Sequence, residues 1–263
     1  MNPSTTAATP WENPVKARLR AGLPVIGITL TTNSVETAAQ AASLGFDFLW
    51  IEMEHSPISL ETVRNIVLAT RGAKAVPFAR VPVNELWAAK RVLDAGVLGV
   101  MFPFTSTPEL AQQAADACHY PPVGKRGSGA GLASFRWPSP EGYFDFADRN
   151  VMVIAIIEEI SAVERIEEIA ATPGIDVLFV GPSDLSFSMG FRGDMEHPDV
   201  HAAMAKVVEA AGRHGKAAGR LTTGGVDIAR CLGQGFRFLQ CATELNFMAA
   251  GAQTFLDSYE KQL

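Results

Sequence analysis

Runs of apolar β-formers alternate with stretches of helical spacing along almost the whole chain. Strand-like runs fall at residues 24–30, 46–51, 76–81, 98–102, 151–157, 177–180, 216–219 and 236–240. Two of them, 151–157 and 177–180, carry no charge and are rich in Val and Ile, as strands buried on both faces are. Between the runs, residues 34–44, 60–69, 86–95, 108–118, 162–171 and 199–214 space their apolar positions as helices do. Several of these stretches have proper ends. Ser34 can cap the first, and Gly45 and Gly96 can end helices in the left-handed conformation. Thr107-Pro108-Glu109 reads as an N-cap, an N1 proline and an acidic first turn. Eight strands alternating with helices predict an α/β fold, a parallel TIM-type (β/α)8 barrel. An open doubly wound sheet is the alternative, but no G-x-G-x-x-G follows an early strand. With no internal repeat and no linker-like shift in composition, residues 13–263 read as one domain behind a flexible tail, 1–12.

One stretch breaks the alternation. Residues 120–150 show little periodicity, carry several Gly and Pro, and include Lys125, Arg126, Arg136 and Trp137. A segment this long in a compact domain usually has a task. It leads into the strand at 151–157, which puts its end on the amino-terminal side of the barrel. It reads as an oligomer contact or an excursion over the rim, with a plain surface loop as the alternative.

The chain's 263 residues, 48% of them apolar, suffice for one large core. A net charge of −6 and no long basic run exclude a nucleic-acid footprint or a surface for anionic lipid. Cys118, Cys231 and Cys241 are too scattered for a metal or redox pair and suit a reducing, cytoplasmic compartment. The first ten residues have no apolar core and no leading charge, unlike a secretory signal. No apolar run approaches the ~20 residues of a membrane span.

In a parallel barrel the ligand sits beyond the carboxyl ends of the strands. Glu158 follows the run 151–157 at once, and Asp184 follows 177–180 after a Gly181-Pro182-Ser183 turn. Two carboxylates at neighbouring strand ends repel unless a cation sits between them, and a divalent metal answers that need with oxygen ligands. Taken alone, Glu158 would read as the acidic opening of the next helix. Glu52, Glu54 and His55 crowd the end of the second strand, where His55 can act as a base. A solvated loop could also hold them. Arg80 ends the third strand and can hold a carboxylate or a developing enolate. Asp94 lies in the last turn of a helix, where the dipole disfavours an anion; a surface ion pair is the simple reading. Backbone N–H groups around Ser183 can take a substrate carboxylate, although the glycine there could serve the turn alone.

These residues carry a family resemblance from about Asn13 to Gly251. Its motifs are Phe46-Asp-Phe-Leu followed by Glu54-His55; Arg80-Val-Pro followed by Lys90-Arg91-Val-Leu-Asp94-Ala-Gly96; Tyr120-Pro-Pro with Gly124-Lys-Arg126-Gly127; Ile157-Glu158; and Gly181-Pro-Ser-Asp184-Leu-Ser186. Together and in order they resemble the metal-dependent (class II) pyruvate aldolases of the HpcH/HpaI family, typified by 4-hydroxy-2-oxoheptanedioate aldolase. The resemblance implies a barrel with a divalent metal (Mg2+, Mn2+ or Co2+) on Glu158 and Asp184, His55 as base and Arg80 as stabiliser of the enolate. It also implies that Asp94 raises the basicity of His55, and that Arg80, Ser183 and Asp184 contact substrate. Three positions depart from the family pattern. Glu52 stands where Asp is usual, Ile156 where Gln is usual and Thr29 where Trp is frequent, which bears on the acceptor pocket.

The expected activity is reversible cleavage of a 4-hydroxy-2-oxo acid to pyruvate, or a relative such as hydroxypyruvate, plus an aldehyde. The alternatives are an oxaloacetate-type decarboxylase on the same scaffold and a non-catalytic, metal-dependent protein binding 2-oxo acids. A Schiff-base aldolase is disfavoured, since Lys74, Lys90 and Lys216 all stand away from strand carboxyl ends. Asp94 and His55 fall at opposite ends of the barrel, separated by about 25 Å at ~1.5 Å per helical residue plus loops. The implied role of Asp94 therefore needs a neighbour's His55. A homo-oligomer with shared active sites is expected, a hexamer by the resemblance.

Overall fold

The structure, a computed structural model, describes residues 11–262. Eight parallel strands pair in chain order and close into a barrel, β8 returning to β1. They are β1 (Val25–Leu30), β2 (Phe48–Glu52), β3 (Val76–Arg80), β4 (Gly99–Phe102), β5 (Met152–Ile157), β6 (Val177–Val180), β7 (Ala217–Leu221) and β8 (Phe238–Thr243). Helix α1 (Pro14–Arg20) precedes the barrel. α2 (Val35–Ser43), α3 (Leu60–Ala69), α4 (Leu86–Ala95) and α5 (Pro108–Cys118) follow the first four strands. α6 (Gly131–Arg136) and α7 (Tyr143–Asn150) lie within the excursion. α8 (Ile160–Glu164) and α9 (Ile166–Ala171) follow β5, and α10 (Pro182–Ser188) and α11 (Pro198–Arg213) follow β6. α12 (Gly225–Gly233) and α13 (Glu244–Glu260) complete the chain.

Every strand run read from the sequence forms a strand, displaced by at most a few residues at its ends. The end signals operate as expected. Ser34 and Thr107 accept hydrogen bonds from Thr37 N and Leu110 N, and Gly96 closes α4 with φ 105°. The barrel interior is filled by rings. Phe48, Phe78 and Phe238 stack with centroids 4.4, 5.4 and 6.3 Å apart. Gly27 and Gly99 make room for them: a Cβ there would lie 2.1 Å from the Phe48 ring or 2.4 Å from the Phe78 ring.

Three differences from the sequence reading matter. The helix expected over 162–171 is divided at Arg165 into α8 and α9, and nothing in the sequence there explains the break. The excursion 120–150 is structured and packed. Its Arg136 donates to Val67 O (3.0 Å) and Thr70 O (3.3 Å), and Trp137 Nε1 donates to Gly96 O (2.8 Å). It thereby adds side-chain donors to carbonyls at the carboxyl ends of α3 and α4. Finally, α13 stands off the barrel. Every residue from 245 to 260 is exposed, with Met248, Phe255 and Tyr259 each more than half so. Residues 1–10 of the expected tail lie outside the described residues, while Trp11 packs against Trp137 with centroids 5.0 Å apart and ring planes tilted by 37°. Among the described residues no helix is long and apolar enough to cross a membrane.

Candidate active site

The adjacent ends of β2 and β3 bring Glu52 opposite Arg80 in register. Glu52 is buried, and its carboxylate accepts four hydrogen bonds. Oε2 takes Arg80 Nε (2.6 Å) and Trp50 Nε1 (3.0 Å); Oε1 takes the backbone N–H of Glu54 (2.7 Å) and of His55 (3.0 Å). Burial pushes this carboxyl up, but the Arg80 guanidinium and the hydrogen bonds outweigh it and hold Glu52 below its ordinary range. One carboxylate thus fixes both the Arg80 side chain and the turn that carries His55. Arg80 Nη1 also lies 2.9 Å from Glu54 Oε2. His55 is exposed, with Nε2 3.8 Å from the same Glu54 oxygen.

Glu158 follows β5 and is only 2% exposed. Its hydrogen bond from the described residues comes from Phe104 N, 2.7 Å from Oε1. Phe104 presents that N–H from a left-handed conformation, φ 48°, strained for a non-glycine residue. Gly181 lies against the same carboxylate. A Cβ there would fall 2.9 Å from Glu158 Oε2, so the turn after β6 needs glycine for space. Burial drives Glu158 up to about 7; the Phe104 N–H opposes this, and the charges of Glu54 and Asp184 add to it. Glu54 is likewise raised, first by burial, and its Oε2 is buried without a hydrogen bond of good geometry. Asp184 and Ser183 stand exposed in the first turn of α10.

Glu54, Glu158 and Asp184 therefore interact, with Arg80 as the guanidinium among them. With Glu52 counted, four carboxylates face one guanidinium, an excess of negative charge that a hard cation would relieve. Among the described residues no three His, Cys, Asp or Glu side chains are arranged as a complete metal cage. Glu158 and Asp184 are the two carboxylates that could hold an ion in an open site, where the remaining positions would fall to water and substrate oxygens.

Asp94 is not brought to this site. It lies at the far end of α4 and pairs with the buried Arg126 of its own chain at 3.0 Å, beside Tyr143. Of the departing positions, Ile156 is a buried apolar wall whose Cγ2 lies 3.6 Å from where a Gly181 Cβ would be. Thr29 Oγ1 is buried between Gln240 Nε2 (2.8 Å) and Cys241 O (3.3 Å). The sequence reading missed the hub role of Glu52, the coupling of Glu54 to Arg80, and Phe104 N. Only the density of charge at 52–55 signalled the first two.

A family model described as HpcH/HpaI aldolase/citrate lyase matches residues 26–250. The chain belongs to that family. It is 37% identical over 244 residues to a hydroxypyruvate/pyruvate aldolase of Paraburkholderia phytofirmans, an alignment covering 90% of this chain and 94% of the relative. It is 34% identical over 252 residues to a 5-keto-4-deoxy-D-glucarate aldolase of Shigella dysenteriae, covering 95% and 98%. Among solved structures it resembles an HpcH/HpaI aldolase/citrate lyase family protein from Burkholderia cenocepacia, with TM-score 0.87 and 34% identity over 94% of this chain and 99% of that one.

Proposed function

We propose that this HpcH/HpaI family member is a divalent-metal-dependent aldolase. It would reversibly cleave 4-hydroxy-2-oxo acids to pyruvate or hydroxypyruvate plus an aldehyde. The observation that carries the reading is Glu158: a buried carboxylate short of donors, beside Asp184 and a clamped Arg80. Glu158 and Asp184 would hold Mg2+, Mn2+ or Co2+, which when bound supplies Lewis acidity toward the keto oxygen of a 2-oxo acid.

The chain's own groups do the rest. His55 takes the proton of the 4-hydroxyl, directly or through water, as the C3–C4 bond breaks; its exposure allows the proton to leave afterwards. Arg80 has Nε and Nη1 committed to Glu52 and Glu54 and no partner at Nη2 among the described residues. That nitrogen is left for enolate oxygen or substrate carboxylate. The Ser183 N–H, in the first turn of α10, has no intrahelical acceptor and can hold the other end of the substrate carboxylate. The lysines argue against a Schiff base. Lys74 pairs with Asp47, and Lys216 donates to the carbonyls of Thr172 and Ile175, all ahead of their strands.

The exposed apolar side chains of α13, Met248, Phe255, Leu256 and Tyr259 each more than half exposed, support a homo-oligomer, since large exposed apolar surface marks an interaction site. In that assembly Asp94 would act on a neighbour's His55. Mixed oligomers of His55→Ala and Asp94→Ala subunits should regain part of the activity that each lacks; no recovery from demonstrably mixed oligomers removes this part of the reading.

The function is tested by a product screen: purified protein, one of the three metals, pyruvate or hydroxypyruvate, and a panel of aldehydes. Aldol product is expected, with no lysine adduct trapped by borohydride. Decarboxylation of oxaloacetate without aldol product would favour the decarboxylase alternative, and binding without turnover the non-catalytic one.

A further inference from the structure

On the amino-terminal side of the barrel the chain uses one device twice. Asp47, just ahead of β2, accepts Ile26 N through Oδ2 (3.0 Å) and pairs through Oδ1 with Lys74 (3.1 Å). Asp176, just ahead of β6, accepts Val153 N through Oδ2 (2.9 Å) and pairs through Oδ1 with Lys16 (3.3 Å). The likeness ends there, because two more cations stand on the same side of the barrel, Lys216 within the field of Asp176. Lys216 Nζ donates to Ile175 O (2.7 Å) and Thr172 O (2.9 Å). Arg237 Nη1 donates to Phe236 O (2.8 Å) and Leu232 O (2.9 Å). Neutral carbonyls hold both cations in place and leave their charges unmatched. Arg237 Nε and Nη2 have no acceptor among the described residues.

Lys16, Asp176, Lys216 and Arg237 all line one cavity of about 500 Å³, enclosed by α1, α11 and the amino ends of β5 to β8. Four cations line it, Lys16, Arg20, Lys216 and Arg237, against the one lining carboxylate Asp176; Arg20 is matched from outside by Glu12 (2.6 Å), which leaves three cations to one carboxylate in a chain whose net charge is −6. The Asp47–Lys74 pair performs the same strand-pinning task with its charges balanced, so the pinning itself does not call for the excess. Apolar walls from Leu19, Met152 and Val208 weaken solvent screening of the excess. Burial already draws the Lys216 ammonium below its ordinary range, which a bound anion would reverse.

We propose that this cavity is a second ligand site, opposite the candidate active site, for a small organic anion carrying at least two negative charges on phosphate or carboxylate groups. Its volume is that of a metabolite pocket, and the free donors of Arg237 match either oxyanion bidentately. The assignment stands apart from the aldolase reading.

Two probes, inorganic pyrophosphate and tricarballylate, test it by calorimetric titration of the metal-free protein; binding of one but not the other tells phosphate from carboxylate chemistry. One probe per chain should bind the wild type and Glu158→Ala alike. Affinity should fall at least roughly tenfold in Arg237→Gln and in Lys16→Gln, the scale of losing one charged contact. Hydrogen exchange on the wild type, independent of any variant's folding, should show added protection over residues 14–20 when probe is bound. The proposal is overturned if neither probe binds, if Glu158→Ala abolishes binding, if both basic-residue variants fold and bind within about twofold of wild type, or if protection over 14–20 is unchanged.

Discussion

Glu52 and Glu158 are both buried carboxylates at the carboxyl end of a barrel strand, and their surroundings could hardly differ more. Glu52 has four donors, one of them a guanidinium, and is held below its ordinary range. Glu158 has one backbone donor and two carboxylates for company, and is driven up to about 7. A carboxylate with its charge fully met is a piece of architecture. A carboxylate with its charge unmet, enclosed by a strained Phe104 and a glycine that leaves it room, is what the proposed cation would complete. The position next to each other of a finished and an unfinished charge site is what the proposed chemistry uses: Glu52 orients, Glu158 binds.

The contrast can be broken most severely at Arg80, which joins the two sites. Arg80→Lys keeps the charge but cannot bridge Glu52, Glu54 and substrate with one planar fork. Turnover should fall by on the order of 10²–10³, as when one oxyanion donor is removed; a near-normal kcat would make Arg80 a structural ion pair only. Glu52→Gln should destabilise the protein by about 2 kcal/mol in denaturant titrations, because it removes the buried charge that Arg80 Nε, Trp50 Nε1 and two backbone N–H groups are built around and leaves Arg80 only Glu54. An unchanged midpoint would mean the four hydrogen bonds do not matter. Glu158→Gln should do the opposite in metal-free protein. A folded-state value raised from 4.5 to about 7 means that stability is fully present below pH 4.5 and declines as pH rises through 7. The neutral variant should lack this decline and be more stable above pH 7 by on the order of 3 kcal/mol. Parallel stability–pH curves for the two proteins would contradict the unmet charge.

Much of this was legible beforehand, for particular reasons. The strands could be read because β5 and β6 are uninterrupted apolar runs, and the helices because Ser34, Thr107 and Gly96 mark their ends. Glu158 and Asp184 stood out because charge follows apolar runs so abruptly. What stayed hidden depends on pairing across strands or on contacts far apart in sequence. Glu52 looks like a loop carboxylate until β3 places Arg80 opposite it. Phe104 N gives no sign in sequence of reaching a residue 54 positions away. The excursion 120–150 is built from short helices held by Arg136 and Trp137 against distant carbonyls, so it has no long period to detect. α13 has little one-sided apolar patterning, and its helical form is supported locally by the Thr243–Asn246 capping box.

The central claim is that Glu158 awaits a divalent cation on which aldol chemistry depends. It is tested most directly by stripping the protein with chelator, titrating Mn2+ back, and following cleavage of a 4-hydroxy-2-oxo acid together with bound metal. Activity should be absent at the start, rise in step with about one ion per chain, and never appear in Glu158→Gln. Full turnover in excess chelator, or metal-restored turnover in Glu158→Gln, would contradict the account.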